Sequence, residues 1–295
     1  MFNPFDESAD SDATDTALVE RCNGGDKNAL DELIRRHQAW IYNIAVRMVW
    51  EPRDAEDVTQ EVLIKVVTRL NDFQGKSKFR TWLYRIVINH VINMKARRHE
   101  QDGHTFTSMG AALDETPDLD LPDPKSVPVD LPILVEEAKI GCVMAMLLCL
   151  DRRQRLVYAL GEAFGVTDQV GAELMEISPD NFRQCLSRAR RDLYNFMDEK
   201  CGLLNHANPC RCAKKTRAFM DAGFVDANQL RFVPERVTRI RDVAVRRSEE
   251  FDQWRDEGYA AIFRDQPFLP ATDQVALLRS TIAGEGFRRS LELDN

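Results

Sequence analysis

Apolar residues in this chain recur at intervals of three and four, and the sequence lacks runs that alternate between apolar and polar residues. Intervals of three or four place side chains on one face of an α-helix, whereas a strand needs an interval of two. Val58, Val62 and Val66 show the helical interval most plainly, because they form one apolar stripe. The sequence therefore predicts an all-α protein.

Charge and proline content divide the chain into five segments. Residues 100–132 hold eight carboxylates, one lysine and five of the twelve prolines, a composition typical of an extended linker. The first 16 residues hold five carboxylates and no base, which predicts disorder. The predicted segments are an acidic disordered tail (1–16), a first small helical domain (17–98), an acidic proline-rich linker (99–132), a second small helical domain (133–198), and a cysteine-containing segment with a helical C-terminal extension (199–295).

Composition and motifs exclude several classes of protein. The acidic N-terminus has no apolar stretch typical of a signal peptide, and the apolar run at 140–150 is too short to span a bilayer. Seven cysteines without a secretion signal indicate a reducing compartment, so we expect a cytoplasmic protein without membrane insertion. The chain has no Walker loop, GxSxG motif or dinucleotide fingerprint, so we predict no catalytic residues, no required cofactor and no enzyme.

One predicted helix is basic and aromatic although the chain has a net charge of −8. Residues 73–98 carry seven Lys and Arg side chains and no Asp or Glu. A helical projection places five side chains within an arc of roughly 120°, opposite the apolar face: Trp82, Arg85, Asn89, Asn93 and Arg97. A tryptophan on a polar arc can stack on an unpaired base, which contributes roughly 1–3 kcal/mol. The alternative is that Trp82 packs on a neighbouring helix.

Flanking side chains of the same segment complete a candidate nucleic-acid site. Amide groups such as Asn89 can bond to base edges, and nearby cations can hold phosphates. The predicted DNA-binding residues of this segment are Lys76, Lys78, Arg80, Trp82, Arg85, Asn89 and Asn93. The preceding helix shows the opposite charge, with Asp57, Gln60 and Glu61 on its polar face. From the pattern alone, that face is either a binding surface or an ordinary solvated face.

These residues closely resemble region 2 of bacterial RNA polymerase sigma factors of the extracytoplasmic-function (ECF) type. The resemblance is carried by Asp57-Val58-Thr59-Gln60-Glu61 and by Phe-Arg-Thr-Trp-Leu-Tyr-Arg-Ile at 79–86. It implies that Asp57, Gln60 and Glu61 contact core RNA polymerase. It also implies that the basic helix melts the minus-ten promoter element and captures bases at Trp82, Arg85 and Asn89.

The second helical domain carries a predicted helix-turn-helix. Thr167 is expected to cap its first helix, and Ser178 with Pro179 to begin the second. Glu176 stands at the turn position that is usually Gly, where a left-handed residue costs about 1 kcal/mol. Gly171, inside the first helix, permits a close helix crossing.

The second helix of this motif supplies the predicted readers of duplex DNA. Asn181, Arg183 and Gln184 can read base edges, because Arg suits guanine and Asn or Gln suits adenine. Ser187 and Arg188 are expected near phosphates. The Ser-Arg-Ala-Arg-Arg-x-Leu stretch at 187–193 resembles the end of sigma region 4, which implies recognition of the minus-thirty-five element.

The cysteine-containing segment suggests a metal or redox site. Cys201, His206, Cys210 and Cys212 place three thiols and one imidazole within twelve residues, and zinc binds four such ligands. A thiophilic metal such as copper(I) would also suit these ligands. The alternatives are a redox switch, favoured by the nearby bases, and cysteines with structural or incidental roles.

The sequence is also consistent with two other classes of function. A free-standing helix-turn-helix regulator, with or without a response to metal or redox state, explains residues 133–198 but leaves the region 2 motifs without a role. A sensor or interaction protein would depend on the segment after residue 200. The resemblance to sigma factors implies core RNA polymerase and promoter DNA as partners, and leaves an anti-sigma factor open.

Overall fold

The computed structural model describes residues 4–5, 9–233, 238–239, 254–264 and 266–283. Helices build the described part of the chain, which confirms the predicted all-α class. The first half contains α1 (Ala9–Asn23), α2 (Lys27–Val49), α3 (Pro52–Thr68), α4 (Phe79–Asn93), α5 (Arg98–Gln101) and α6 (Phe106–Glu115). The second half contains α7 (Leu131–Leu148), α8 (Arg152–Tyr158), α9 (Asp168–Met175), α10 (Pro179–Lys200), α11 (Cys212–Asp221), α12 (Trp254–Arg264) and α13 (Gln274–Ala283).

Short elements complete the described fold. Strands β1 (Thr238–Arg239) and β2 (Pro267–Phe268) form one antiparallel pair. A π-helical turn, Ala159–Ala163, continues α8, and 3₁₀ turns occupy Leu70–Asp72 and Pro124–Ser126. Within the described residues, no helix has both the length and the hydropathy needed to cross a membrane.

Helix α2 lies at the centre of a core that both predicted helical domains share. Its Trp40 ring is 1% exposed and packs at 5.3 Å from Phe5, 5.4 Å from Phe164 and 5.0 Å from Phe268, measured between ring centroids. Each such aromatic pair contributes about 0.5–1.5 kcal/mol beyond burial itself. The Trp40 side chain of α2 therefore contacts the N-terminal segment, the second domain and the extension.

The N-terminal segment differs from its prediction, because α1 already begins at Ala9. Asp15 is 1% exposed, and the Nε of Arg36 donates to it at 2.7 Å while His37 Nε2 lies 3.2 Å away. Burial alone would raise the pKa of Asp15, but the bonds to His37 and Arg36 outweigh burial and lower it. A carboxylate that looks solvated in the sequence is thus part of the core.

The acidic linker also differs from its prediction, because it carries helices α5 and α6. Three of its carboxylates form ion pairs with lysines at the end of α10 or in α11. The pairs are Asp114–Lys200 at 2.7 Å, Asp118–Lys215 at 3.0 Å and Asp120–Lys214 at 2.8 Å. The backbone N–H of Leu119 also donates to the carbonyl of Lys214. These lysines therefore offset the repulsion among the linker carboxylates, which was the reason to expect an extended spacer.

A buried guanidinium joins the two halves of the fold. Arg155 in α8 donates to the Glu100 carboxylate at 2.9 Å. Its other donors reach the carbonyl oxygens of Met48, Leu147, Leu148 and Leu150. Arg152 also binds Glu100, with two nitrogen–oxygen distances of 2.9 Å. Burial opposes ionisation of Glu100, but these cations outweigh burial and lower its pKa.

The C-terminal extension packs on both halves. Arg264 of α12 donates to the carbonyl and carboxylate of Glu162, which also accepts from Arg190 of α10. Asn43 of α2 and Leu269 exchange two hydrogen bonds, at 2.8 and 3.0 Å, in the buried interior. The extension is therefore part of the same packed unit as the two domains.

Glu100→Gln should weaken the fold in a pH-dependent way. Removing the buried negative charge leaves Arg155 without its counter-ion, so the free energy of unfolding should fall by about 3 kcal/mol near neutral pH. Because the pKa of Glu100 is lowered in the folded state, the charge stabilises fully above the unfolded value of 4.5 and less as pH falls below it. Urea unfolding at a series of pH values measures this difference.

The control for this change is Glu115→Gln, since Glu115 is exposed at the end of α6. That variant should unfold like the parent at every pH. If Glu100→Gln lowered the free energy of unfolding by the same amount below pH 4.5 as above it, the charge of Glu100 would not be what stabilises the joint.

Candidate nucleic-acid and polymerase interface

Helices α9 and α10 form the predicted helix-turn-helix, and local capping sets its boundaries. Thr167 accepts from the N–H of Val170 at 3.3 Å, and Ser178 accepts from the N–H of Asn181 at 3.2 Å. Pro179 occupies the first position of α10, where its missing N–H does no harm. The predicted caps are therefore confirmed.

The turn between these helices has the predicted strained residue. Glu176 has φ 54° and ψ 43°, in the left-handed region that a side-chain-bearing residue adopts at a cost. The close crossing is also present, because a Cβ added to Gly171 would lie 2.3 Å from the ring of Phe182. A larger residue at position 171 would force the two helices apart.

Helix α10 presents its predicted reading face to solvent. The five predicted DNA contacts of this helix are all exposed: Asn181, Arg183, Gln184, Ser187 and Arg188. The opposite face packs into the core through Phe182, Cys185 and Leu186. Arg183 forms ion pairs with Asp168 and Asp180, so a base that bound its guanidinium would have to displace these carboxylates.

On α4 the polar arc is partly exposed and partly packed. Asn89 and Asn93 are exposed, and the Asn93 amide donates to the Asn89 carbonyl at 2.8 Å. Trp82 is half-buried, with its ring centroid 5.7 Å from both Phe73 and Phe79. Trp82 thus packs on rings of its own segment and still keeps part of its surface in solvent.

Arg85 is held by the helix-turn-helix. Its Nε and one terminal nitrogen donate to the carbonyl of Glu173, at 3.2 and 3.1 Å, and the Glu176 carboxylate lies 3.6 Å away. Helix α4 therefore packs against α9, the first helix of the helix-turn-helix. The polar arc of the first domain and the helix-turn-helix share this contact.

The cations of the α3–α4 connection divide into two groups. Lys76 and Lys78 are exposed on a loop that turns at Gly75, whose φ is +68°. Arg80, also predicted to contact DNA, is only 8% exposed and donates to the carbonyl of Pro4. The prediction for Arg80 does not fit this position, because the N-terminal segment covers its side chain.

Helix α3 presents the predicted acidic face. Asp57 and Glu61 are exposed and Gln60 is half-buried. Glu61 binds Arg97 at 2.7 Å. The neighbouring Glu56 accepts from the hydroxyl of Thr272 at 2.6 Å, which brings the extension to the edge of this face.

Comparison with known proteins identifies relatives of this chain. Residues 33–101 match the Sigma-70 region 2 family model. The chain is 47% identical over 79 residues to the RNA polymerase sigma-H factor of Pseudomonas aeruginosa, covering 27% of this chain and 41% of that protein. It is 31% identical over 191 residues to the ECF RNA polymerase sigma-E factor of Escherichia coli, covering 62% of this chain and 93% of that protein.

This chain belongs to the ECF family of RNA polymerase sigma factors. A solved structure of CnrH in complex with the cytosolic domain of CnrY is also similar, with 22% identity, a TM-score of 0.43, and coverage of 63% of this chain and 98% of that one. The region 2 match spans most of α2, all of α3 and α4, and α5. The prediction of a sigma region 2 domain is thereby confirmed.

The predicted metal ligands of this sigma factor come together only in part, since an isolated β-bridge pairs Cys201 with Cys210. Among the described residues, no three of Cys201, His206, Cys210 and Cys212 bring their donor atoms within 4.8 Å of one another. Cys201 is buried at the end of α10, while His206 is exposed. Burial raises the pKa of Cys212 to about 12.

A different donor group escaped the sequence analysis. The donor atoms of His99, Asp102 and His104 do lie within 4.8 Å of one another. The signal that could have found them is the His-x-x-Asp-x-His spacing around Gly103, a residue suited to a tight turn. A composition dominated by acidic residues and proline hid this spacing.

Glu176→Gly should stabilise this sigma factor. Glycine adopts the left-handed conformation of residue 176 without the steric cost, so the free energy of unfolding should rise by roughly 0.5–1 kcal/mol. The exposed pair with Arg85 that this change removes contributes little. Urea denaturation measures the change.

Glu173→Gly is the matched control, because Glu173 is exposed inside α9 and has helical geometry. It should lower the free energy of unfolding by about 1 kcal/mol. We therefore expect the free energy of unfolding to rise for Glu176→Gly and to fall for Glu173→Gly. A fall at both positions would show that the left-handed conformation of Glu176 does not cost stability.

Proposed function

We propose that this protein binds core RNA polymerase, directs it to specific promoters and helps to open them. The observation that carries the proposal is the similarity to sigma factors, which includes region 2 at residues 33–101 and 93% of the length of the E. coli sigma-E factor. The alignments with the P. aeruginosa and Haemophilus influenzae factors span only 41% and 42% of those proteins. The chain therefore matches less than half the length of each of these two relatives.

Helix α3 would dock on the polymerase. Asp57 and Glu61 are four residues apart, so they lie on one side of the helix, and both are exposed. Gln60 adds a half-buried amide beside them. Such a face suits a basic partner, because complementary charge accelerates encounter and selects against wrong partners.

The loop before α4 and its polar arc would contact the melted minus-ten element. Exposed Lys76 and Lys78 can bind phosphates, and Asn89 can bond to a base edge. The solvent-exposed part of Trp82 can stack on an unpaired base, while Phe73 and Phe79 fix its orientation.

Helix α10 would read the upstream element in the major groove. Its N-terminal turn begins with a capped serine and exposes Asn181, Arg183 and Gln184 in succession. In helix-turn-helix proteins, residues near the start of the second helix contact base edges. Ser187 and Arg188 follow one turn later and would hold the backbone.

Promoter opening would require a change from the arrangement in this structure. Arg85 binds α9 through the Glu173 carbonyl, so it cannot bind DNA with the same donors at the same time. We infer that α4 and α9 separate when the protein engages polymerase and promoter together. Exposed contacts of this kind contribute about 0–1 kcal/mol each, so binding energy can offset their loss.

Transcription in vitro tests the proposal against the free-standing regulator. Purified protein with core polymerase and a library of promoter fragments should yield transcripts with defined start sites. The protein alone should protect no specific promoter sequence from nuclease. Sequence-specific protection without polymerase, together with no stimulation of transcription, would support the regulator instead.

Asp57→Ala should weaken polymerase binding by about tenfold, which corresponds to ~1.4 kcal/mol. The physical reason is the loss of an exposed charge at the centre of the acidic face. Fluorescence titration of labelled protein with core polymerase measures the affinity. Glu115→Ala removes an exposed carboxylate from α6 and should bind like the parent; equal weakening in both variants would indicate a general charge effect.

Asn89→Ala should impair promoter opening by roughly 1–3 kcal/mol while polymerase binding stays intact. Asn89 is a cleaner probe than Trp82, because it is exposed and its removal leaves no cavity among Phe73 and Phe79. Permanganate footprinting of unpaired thymines measures opening. Asn195→Ala, at an exposed position late in α10, serves as the control; normal melting by Asn89→Ala would exclude a base contact there.

A further inference from the structure

A turn between α4 and α6 gathers three metal-binding side chains. Donor atoms of His99, Asp102 and His104 all lie within 4.8 Å of one another. His99 Nδ1 is 3.8 Å and His104 Nε2 is 3.9 Å from the same oxygen, Asp102 Oδ2. We propose that these three side chains bind one divalent transition-metal ion of the zinc, cobalt or nickel type.

The backbone explains why the three side chains converge. Helix α5 is a single turn that ends at Gln101, and the N–H of Gly103 donates to the carbonyl of Glu100 at 3.4 Å. Gly103 has φ +65°, a left-handed conformation that reverses the chain. This reversal returns His104 to the side on which His99 and Asp102 lie.

One of the three ligands is already fixed in place. The His99 ring packs edge-on against Trp50 with 4.7 Å between centroids, and its side chain is 22% exposed. The adjacent Glu100 is locked by Arg152 and Arg155. A ligand held on a rigid support lowers the entropy lost when an ion binds.

The distances suit metal binding after a small adjustment. Tetrahedral zinc with bonds of about 2.0–2.1 Å needs roughly 3.3 Å between neighbouring donors. The two histidine nitrogens are 3.8 and 3.9 Å from the Asp102 oxygen, so each gap must close by roughly half an ångström. Asp102 and His104 are 55% and 38% exposed at their side chains, so rotation of these groups can supply that movement.

The remaining coordination positions face a cavity. All three side chains line a cavity of about 520 Å³, whose walls include Met109, Cys142 and Phe224. Three protein ligands leave at least one position for water or another small ligand, as in open zinc sites.

The ligand set selects among cations. Two imidazole nitrogens and one carboxylate oxygen suit zinc, cobalt and nickel, whereas magnesium and calcium prefer oxygen ligands alone. Thiolates bind soft ions such as copper(I) more tightly, and the cysteine-containing segment would compete for those. The proposal does not depend on the proposed function, since it concerns binding by the isolated chain.

Cobalt titration of the full-length protein tests the site. Protein freed of metal by chelator and kept reduced should bind about one equivalent of Co²⁺, which zinc then displaces. Nitrogen and oxygen ligands give weak visible bands, whereas thiolate ligands add strong near-ultraviolet charge-transfer bands. We expect the weak visible bands alone.

Variants assign the ligands. His104→Ala and Asp102→Asn should each weaken binding by at least roughly tenfold, and circular dichroism should show that both remain folded. His206→Ala, Cys212→Ser and Cys142→Ser should bind like the parent; Cys142 is the strictest control because it lines the same cavity. Absence of saturable binding, unchanged affinity in His104→Ala, or charge-transfer bands that vanish in a cysteine variant would overturn the proposal.

Discussion

The buried Arg155 guanidinium is the interaction on which the joint between the two domains depends. All five of its N–H groups have acceptors: one oxygen of Glu100 and the carbonyls of Met48, Leu147, Leu148 and Leu150. The last carbonyls of a helix lack intrahelical partners, and here one side chain satisfies those at the ends of α2 and α7. Burial lowers the pKa of Arg155, yet the adjacent carboxylate favours its charged form. The helices that carry region 2 and the helix-turn-helix are thereby bound to one another.

This joint determines how the candidate interfaces are presented. Because the two halves pack together, α4 meets α9 and Arg85 binds the Glu173 carbonyl. Helix α10 keeps the face with Asn181, Arg183 and Gln184 exposed. The extension adds a second link, since Glu162 accepts from both Arg190 and Arg264. In this arrangement the exposed face of α10 is available, while the polar arc of α4 is partly engaged.

Features that depend on neighbouring residues could be predicted from the sequence, whereas features that depend on distant partners could not. The caps at Thr167 and Ser178 and the left-handed Glu176 follow from local backbone chemistry, and the structure has all three. Asp15 and Arg80 looked solvated, because only the folded chain shows what covers them. His99, Asp102 and His104 are close in sequence, so their spacing was available as a signal, but the left-handed turn at Gly103 that brings their donor atoms together is a feature of the folded backbone.

The two kinds of ionic contact in this protein differ in how easily they exchange. Removing one partner of a buried pair such as Arg155–Glu100 costs about 3–5 kcal/mol, so that joint persists during normal fluctuations. The pair between Asp120 of the linker and Lys214 of the extension is exposed and contributes about 0–1 kcal/mol, with strong screening by salt. A basic surface on a partner can therefore displace Lys214 from the linker without unfolding the core. The exposed pair can thus change partners at a lower free-energy cost than the Arg155–Glu100 joint.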